Sequence, residues 1–208
     1  MSEYESEIND SVSMSTYKIA SSSFTFNDVL PLDIINSIKK EICGISETSY
    51  EEARVGNGDN NFPIDITDPK IRISTVKWVD EMNWISSIFT HYMRIANREV
   101  WEYDITACQS IQVTRYEKNG HYGWHSDYGT SDDPQNTRKL SASLLLSDPS
   151  EYVGGKLQII NYHGTVVSIP KKMGQITFFD ARIPHRVAPV LKGERLSLVA
   201  WFTGPKLR

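Results

Sequence analysis

The stretch KKMGQITFFDARIPHRVAPVLKGERLSLVAWF, residues 171–202, decides the fold class of this chain. It contains three short apolar runs, at 175–179, 185–190 and 195–202, and turn residues such as Met173-Gly174 and Lys192-Gly193 stand between or before them. Turn residues of this kind separate antiparallel strands. The stretch therefore predicts an antiparallel β-structure.

The same pattern extends back to Cys108. Further breaks at Asn119-Gly120 and Gly154-Gly155 bound five more predicted strands, at 109–117, 121–125, 139–147, 155–161 and 164–169. Eight short strands fit a double-sheet jelly roll, also called a double-stranded β-helix.

Two helices are predicted ahead of these strands. One follows Pro31, with isoleucines at helical spacing up to Ile42 and a stop at Gly44, and the other covers residues 76–97. A first strand is predicted at Lys18–Phe26. Helices before strands favour an α+β fold with N-terminal supporting helices.

One domain suits a chain of 208 residues. The expected division is a polar tail at 1–15 and a single domain at 16–208, composed of a helical support at 28–107 and a jelly-roll core at 108–208.

Charge and composition narrow the possible partners. The net charge is −4, whereas nucleic-acid-binding domains usually present a basic face, so we expect no nucleic-acid partner. No apolar run approaches the roughly 18 residues that span a bilayer, so no membrane partner is expected. The acidic N-terminus MSEYESEINDSVSMS lacks the apolar core of a signal peptide. The expected location is the cytoplasm.

His125 and Asp127 form an H-x-D pair in YGWHSDYG. Residues i and i+2 of a strand share a face, so both side chains can reach one point. His185, which opens a later strand, is the candidate third ligand. Two histidines and one carboxylate form the facial triad of Fe(II) oxygenases. Alone, an H-x-D pair is a weak signal, because it arises by chance in many proteins.

Arg195 strengthens this interpretation. It lies in GERLSLVAWF, on what we expect to be the next strand of the same hairpin as His185. An arginine inside a barrel needs a carboxylate partner, and its fork suits the far carboxylate of a dicarboxylic acid. The alternative is a structural arginine paired with an Asp or Glu of the protein.

Segment 112–205 resembles the prolyl-4-hydroxylase-like branch of the 2-oxoglutarate/Fe(II) oxygenases. The matching pieces are QVTRYEKNGHYGWHSD, RKLSASLLLSDPSEYVGGKLQI and KKMGQITFFDARIPHRVAPVLKGERLSLVAWFTGP. They share with that family the order of the H-x-D pair, a GG-x-L strand, the second histidine and a basic residue ten positions later.

The resemblance implies a role for each matching residue. His125, Asp127 and His185 match the iron ligands, and Arg195 matches the anchor of the 2-oxoglutarate C5-carboxylate. Tyr116 matches a tyrosine that helps to hold 2-oxoglutarate, although it could also be an ordinary core aromatic. No catalytic residue beyond the metal centre is implied. Implied cofactors are Fe(II), with 2-oxoglutarate and O2 as co-substrates, and ascorbate is a further candidate.

The implied function is a dioxygenase that hydroxylates an unactivated C–H bond while 2-oxoglutarate is decarboxylated to succinate. A prolyl residue in a peptide or protein is the expected substrate. Alternatives are a free amino acid or other small metabolite, and a non-enzymatic metal-binding or sensing module on the same fold. Loop 44–70 and segment 128–137 are expected to flank the mouth of the site, and their acids favour a substrate with some positive charge.

Overall fold

The computed structural model describes residues 22–27, 29–44, 50–56, 65–80, 83–128 and 136–206. In this part of the chain, two antiparallel sheets lie face to face and two helices cover the outer face of the larger sheet. The α+β jelly-roll prediction is therefore confirmed. The predicted tail at 1–15 lies outside the described residues.

The described residues form nineteen helices and strands. The helices are α1 (Leu32–Gly44) and α2 (Trp84–Val100). The strands before α2 are β1 (Ser23–Phe26), β2 (Glu51–Glu52), β3 (Val55–Gly56), β4 (Asp65–Ile66), β5 (Arg72–Ile73) and β6 (Thr75–Val79). The strands after it are β7 (Ala107–Cys108), β8 (Ile111–Tyr116), β9 (His121–His125), β10 (Thr137–Leu145), β11 (Val153–Gly154), β12 (Leu157–Ile160), β13 (Val166–Ser168), β14 (Ile176–Asp180), β15 (His185–Val187), β16 (Val190–Lys192) and β17 (Arg195–Gly204).

The larger sheet has the strand order β1-β14-β10-β17-β8-β6-β2, with β7 paired to β17. Side chains alternate between its two faces, because successive residues of a strand point in opposite directions. One face carries apolar residues that pack against α1 and α2, such as Ile111, Leu140, Phe178 and Leu198. The residues between them point toward the second sheet.

The smaller sheet has the order β13-β12-β15-β9-β5. A second core lies between the sheets, where Leu157, Ile159 and Val187 of the smaller sheet meet Tyr116 and Phe179 of the larger one. Since β9 and β15 are hydrogen-bonded neighbours, with His125 opposite His185, the topology brings together two candidate ligands that are distant in sequence.

Most predicted elements agree with the structure, but the predicted helix at 76–97 is wrong at its start. Residues Thr75–Val79 form β6, which pairs with β8, and α2 begins at Trp84 after the N-cap Asn83. Val76 and Val79 are buried, as a helical stripe would also require, so apolar spacing alone could not distinguish the two structures. The correction moves Trp78 from a helix to a strand.

Arg195 is not on the same hairpin as His185. His185 belongs to the smaller sheet, whereas Arg195 opens β17 of the larger sheet. Between them, β16 pairs with β11 outside both sheets, and the turn at Gly193 follows. The two side chains therefore approach the interior from opposite walls.

None of the helices in the described residues is long and apolar enough to cross a membrane.

Candidate active site

A cavity of about 280 Å³ lies between the two sheets. The inner face of the larger sheet lines one side of it with alternate residues of β17, namely Arg195, Ser197, Val199 and Trp201. His125 and His185 line the wall formed by the smaller sheet. Because side chains alternate along a strand, the intervening residues of β17, such as Leu198, pack toward the helices while the four named above face the cavity.

His125, Asp127 and His185 meet in this cavity, with potential ligand atoms within 4.8 Å of one another. The carboxylate of Asp127 lies between the two rings, at 3.7 Å from His125 Nε2 and 3.4 Å from His185 Nε2. Ligands bound at right angles at about 2.1 Å from one metal would be about 3 Å apart. The three predicted ligands therefore need only small movements to hold a metal ion.

Hydrogen bonds set the direction in which both imidazoles present their donor atoms. His125 Nδ1 donates to the carbonyl of Gly123 at 2.9 Å, and His185 Nδ1 donates to that of Ile183 at 3.0 Å. A proton on Nδ1 leaves the Nε2 lone pair free in the neutral ring. Both Nε2 atoms face Asp127, which is the orientation found in metal-binding histidines with outer hydrogen-bond partners.

Asp127 is held from two directions. Its Oδ2 accepts a hydrogen bond from Ser141 Oγ at 2.7 Å, and its backbone N–H donates to the carbonyl of Ala181 at 2.9 Å. Burial acts to raise the pKa of this carboxyl, but His185, through its charge and hydrogen bond, and the charge of His125 outweigh it, so the pKa falls below its ordinary value. The carboxylate is consequently ionised, as a metal ligand must be.

Burial and the neighbouring His185 lower the pKa of His125 to about 4. Its ring is therefore neutral near pH 7 and able to bind a metal. For His185, burial lowers the pKa, but the charge and hydrogen bond of Asp127 raise it above its ordinary value.

Tyr122 and His125 lie on the same side of β9, although residues three apart in a regular strand point to opposite faces. The two rings stack with centroids 3.5 Å apart, and Tyr122 lines the cavity. The pairing of β9 with β15 shifts register between His185 and Val187, so three residues of β9 span two of β15. Such a bulge turns Tyr122 and His125 to the same side, which simple alternation cannot predict. Trp124, in contrast, is largely exposed.

Arg195 lies deep in the cavity, with only 4% of its surface exposed. Its Nη1 donates to Ser197 Oγ at 2.6 Å, and its guanidinium carbon lies 5.6 Å from the ring centre of Tyr116, its cross-strand partner. In the described part of the chain, no Asp or Glu forms an ion pair with Arg195. Burial lowers the pKa of Arg195, and the charges of Tyr116 and Tyr152 act in the opposite direction. The alternative of a structural arginine thus lacks its acid.

Gly155 makes room for this arginine. A Cβ on Gly155 would lie 3.2 Å from Arg195 Cδ and 3.1 Å from Tyr152 Cε2, and its φ of +59° is a conformation that side chains rarely adopt. The glycine of the GG-x-L segment therefore has a structural reason to stand beside Arg195.

Three more arginines, Arg54, Arg72 and Arg138, line the cavity, and the sequence patterns did not single them out. Arg72 lies over the Tyr122 ring and Arg138 over the Trp201 ring. Trp201 lines the cavity, whereas Thr177 lines a smaller cavity that Arg195 also borders. These walls are basic, opposite in sign to what the loop acids suggested, and residues 45–49, 57–64 and 129–135 of those loops lie outside the described residues.

A family model described as the 2OG-Fe(II) oxygenase superfamily matches residues 111–203, the segment that contains the three candidate ligands and Arg195. Residues 111–203 belong to the 2OG-Fe(II) oxygenase superfamily.

Individual relatives of this oxygenase segment agree with the family match. A PKHD-type hydroxylase of Cupriavidus metallidurans is 37% identical over 92 residues, which cover 42% of this chain and 40% of the relative. The match thus spans about two fifths of the relative's length. A solved prolyl-4-hydroxylase of Pseudomonas putida shares the fold, with a TM-score of 0.67 and 21% identity over 88% of this chain and 92% of that one.

A second solved structure extends the fold comparison. A prolyl hydroxylase of Trichoplax adhaerens, in complex with a peptide fragment of the hypoxia inducible factor oxygen degradation domain, has a TM-score of 0.71. It is 16% identical, and the match covers 88% of this chain and 84% of that one. The shared fold therefore extends well beyond the segment matched by the family model.

Proposed function

We propose that this chain is a 2-oxoglutarate-dependent dioxygenase whose Fe(II) is held by His125, Asp127 and His185. The observation that carries the proposal is the convergence of two Nε2 atoms and one carboxylate beside a buried arginine that has no acid partner in the described residues. Two imidazoles and one carboxylate suit Fe(II) and leave adjacent positions for small ligands.

Arg195 would bind the C5-carboxylate of 2-oxoglutarate. A guanidinium pairs with a carboxylate through two parallel hydrogen bonds, and burial strengthens such a pair because little water competes. The Ser197 hydroxyl steadies one nitrogen of the fork, and the Tyr116 ring supports its face. Tyr116 is the proposed second contact to the co-substrate.

Bound Fe(II), together with 2-oxoglutarate and O2, supplies the oxidising power to hydroxylate an unactivated C–H bond, with succinate and CO2 as co-products. The chain's own residues position these groups and limit access of water. His125 presents a neutral Nε2 atom, Asp127 is kept ionised, and Phe179 and Leu157 close the inner wall with apolar surface. His185 would bind the metal through Nε2 after losing the proton that Asp127 favours. No residue beyond the metal centre is assigned a proton transfer.

The proposed substrate is a prolyl residue in a peptide or protein. The names of the matching hydroxylases support it, and so does the cavity, which reaches solvent at Trp78, whose surface is 47% exposed. A free amino acid or small metabolite is the second candidate. Residues 16–208 are proposed to act as one domain, since β1, β5 and β6 from the N-terminal part join the two sheets of the core. Ascorbate dependence and a cytoplasmic location stay predictions.

The test is succinate formation from 2-oxoglutarate by protein loaded with Fe(II) without oxygen and then exposed to air. We expect Asp127→Ala to be inactive. Arg195→Ala should need at least tenfold more 2-oxoglutarate than the wild type to reach half of its maximal rate, and Arg195→Lys should need an intermediate concentration. Asp148→Ala, which removes an acid in a surface turn, is the control. Wild-type protein that binds Fe(II) and 2-oxoglutarate but yields no succinate with any proline-containing peptide would instead be a binding module.

A further inference from the structure

Besides Arg195, the arginines Arg54, Arg72 and Arg138 line the cavity, and the proposed function uses none of them. Arg72 and Arg138 are the two that lie over aromatic rings of the cavity. The guanidinium carbon of Arg72 lies at 4.5 Å from the centre of Tyr122 and that of Arg138 at 4.1 Å from the centre of Trp201. Arginines stacked in this way are fixed in orientation before any ligand arrives, so little entropy is lost when they bind one.

The described partners of both guanidinium groups are neutral. Arg138 Nε donates to Gln109 Oε1 at 2.8 Å. Arg72 donates from Nε to Ser74 Oγ and from Nη2 to Gln112 Oε1. A guanidinium has five N–H donors, so each retains donors beyond these contacts. Arg72 is only 8% exposed, and a buried cation without a counter-charge is costly.

The other charges of the proposed site leave these two arginines unbalanced. Fe(II), the Asp127 carboxylate, the 2-oxoglutarate dianion and Arg195 together cancel. Among the described lining residues, the positive charges of Arg72 and Arg138 then remain on the cavity wall, which favours a ligand that carries negative charge.

Both arginines also stand close to the metal ligands, on different sides. Arg138 acts electrostatically on Asp127 and Arg72 on His125, and Arg72 lies over the Tyr122 ring that stacks on His125. An anionic group bound by them would therefore lie near the bond that reacts, and it would contribute to the choice of substrate.

The following inference rests on the proposed function. We infer that the substrate is a peptide that carries an anionic side chain, either a carboxylate or a phosphate, near the residue that is hydroxylated. Arg138 supplies the principal contact and Arg72 a second one. Both groups are recognised by the same guanidinium fork.

The experiment measures binding without turnover. Wild-type protein loaded with Fe(II) and 2-oxoglutarate under argon is mixed with a peptide library, acetyl-X-X-X-Pro-X-X-X-amide, in which X includes phosphoserine. Bound and unbound peptides are separated by filtration and compared by mass spectrometry. We expect Asp, Glu or phosphoserine to be enriched about fivefold near the proline, the order of a single favourable charge pair. The residue enriched identifies which anion is preferred.

Variants assign the preference to the cavity. Arg138→Gln should abolish the enrichment, Arg72→Gln should reduce it, and Arg138→Lys should retain part of it, which shows that the fold is intact. The matched control is Arg186→Gln, because Arg186 also donates through Nε to a glutamine, Gln158, and lies over a tryptophan, Trp124, but outside the cavity.

Three results would overturn the inference. The first is that the wild-type protein enriches no anionic peptide, or captures no peptide at all. The second is that Arg138→Gln enriches anionic peptides as strongly as the wild type. The third is that Arg138→Gln binds 2-oxoglutarate more weakly while its peptide preference is unchanged. Failure of the proposed function looks different. In that case no succinate forms in air, whatever the library shows under argon.

Discussion

The carbonyl oxygen of Ala181 accepts a hydrogen bond from the backbone N–H of Asp127 at 2.9 Å, so the segment that follows β14 determines where this candidate ligand lies. The same carbonyl accepts the N–H of Tyr128 at 2.8 Å. Two residues later, the carbonyl of Ile183 accepts His185 Nδ1. Residues 180–185 thus position two of the three ligands at once.

Asp180 holds this segment in place, and its replacement should disturb the metal site from a distance. The carboxylate is buried and accepts hydrogen bonds from Tyr103 Oη, Tyr162 Oη and Arg182. Asp180→Ala should lower the free energy of unfolding by about 3 kcal/mol, since it leaves these donors without their acceptor. It should also weaken Co(II) binding by at least tenfold, as measured by titration of the visible absorption.

Tyr162→Phe is the control for Asp180→Ala. It removes one of the hydrogen bonds to Asp180, so we expect a loss of about 1 kcal/mol and little change in Co(II) affinity. If Asp180→Ala loses stability but binds Co(II) like the wild type, the segment does not position the ligands.

Ser141 is expected to tune the metal affinity through Asp127. Its hydroxyl is fully buried and donates to Asp127 Oδ2 at 2.7 Å. Ser141→Ala should weaken Co(II) binding about tenfold, because hydrogen bonds to a ligand fix its orientation. Ser143→Ala, two residues along the same face of β10, should leave the Co(II) affinity unchanged. Equal effects of the two changes would show that Ser141 has no special role.

Gly155→Ala should weaken the binding of 2-oxoglutarate. The new methyl group would lie 3.2 Å from Arg195 Cδ, and the positive φ should cost about 1 kcal/mol of stability. We expect the dissociation constant for 2-oxoglutarate, measured by equilibrium dialysis with the metal-loaded protein, to rise several-fold.

Gly164→Ala separates crowding from backbone strain. Gly164 has a φ of +75°, but a Cβ there would meet no atom within 4 Å. This change should reduce stability to a similar degree without affecting 2-oxoglutarate binding. A comparable loss of co-substrate affinity in both variants would mean that strain, and not contact with Arg195, is responsible.

Tyr122 should support the metal site through its ring and not through its hydroxyl. The ring stacks on His125 and carries Arg72. Tyr122→Phe should retain wild-type Co(II) affinity, whereas Tyr122→Ala should lower it, because His125 would lose the surface that restricts its ring. Loss of affinity in Tyr122→Phe would point to the hydroxyl instead.

Local patterns in the sequence were sufficient for much of this protein. Isoleucine spacing from Pro31 to Gly44 predicted α1, and turn residues bounded the strands of the jelly roll, because helical and strand periodicity reflect which face of each element is buried. The H-x-D pair, His185 and Arg195 could be named as a group, since the chemistry of a metal and a dicarboxylate demands these side chains.

Only the tertiary structure decided features that depend on how strands pair. A bulge opposite β15 turned Tyr122 toward His125, and pairing with β8 made a strand of Thr75–Val79, whose apolar spacing also suits a helix. Arg72 and Arg138 come from different sheets, and neither has a neighbour in sequence that marks it as part of a cavity. Periodicity depends on residues close in sequence, whereas register and facing walls depend on contacts between distant segments, and these exist only once the sheets have formed.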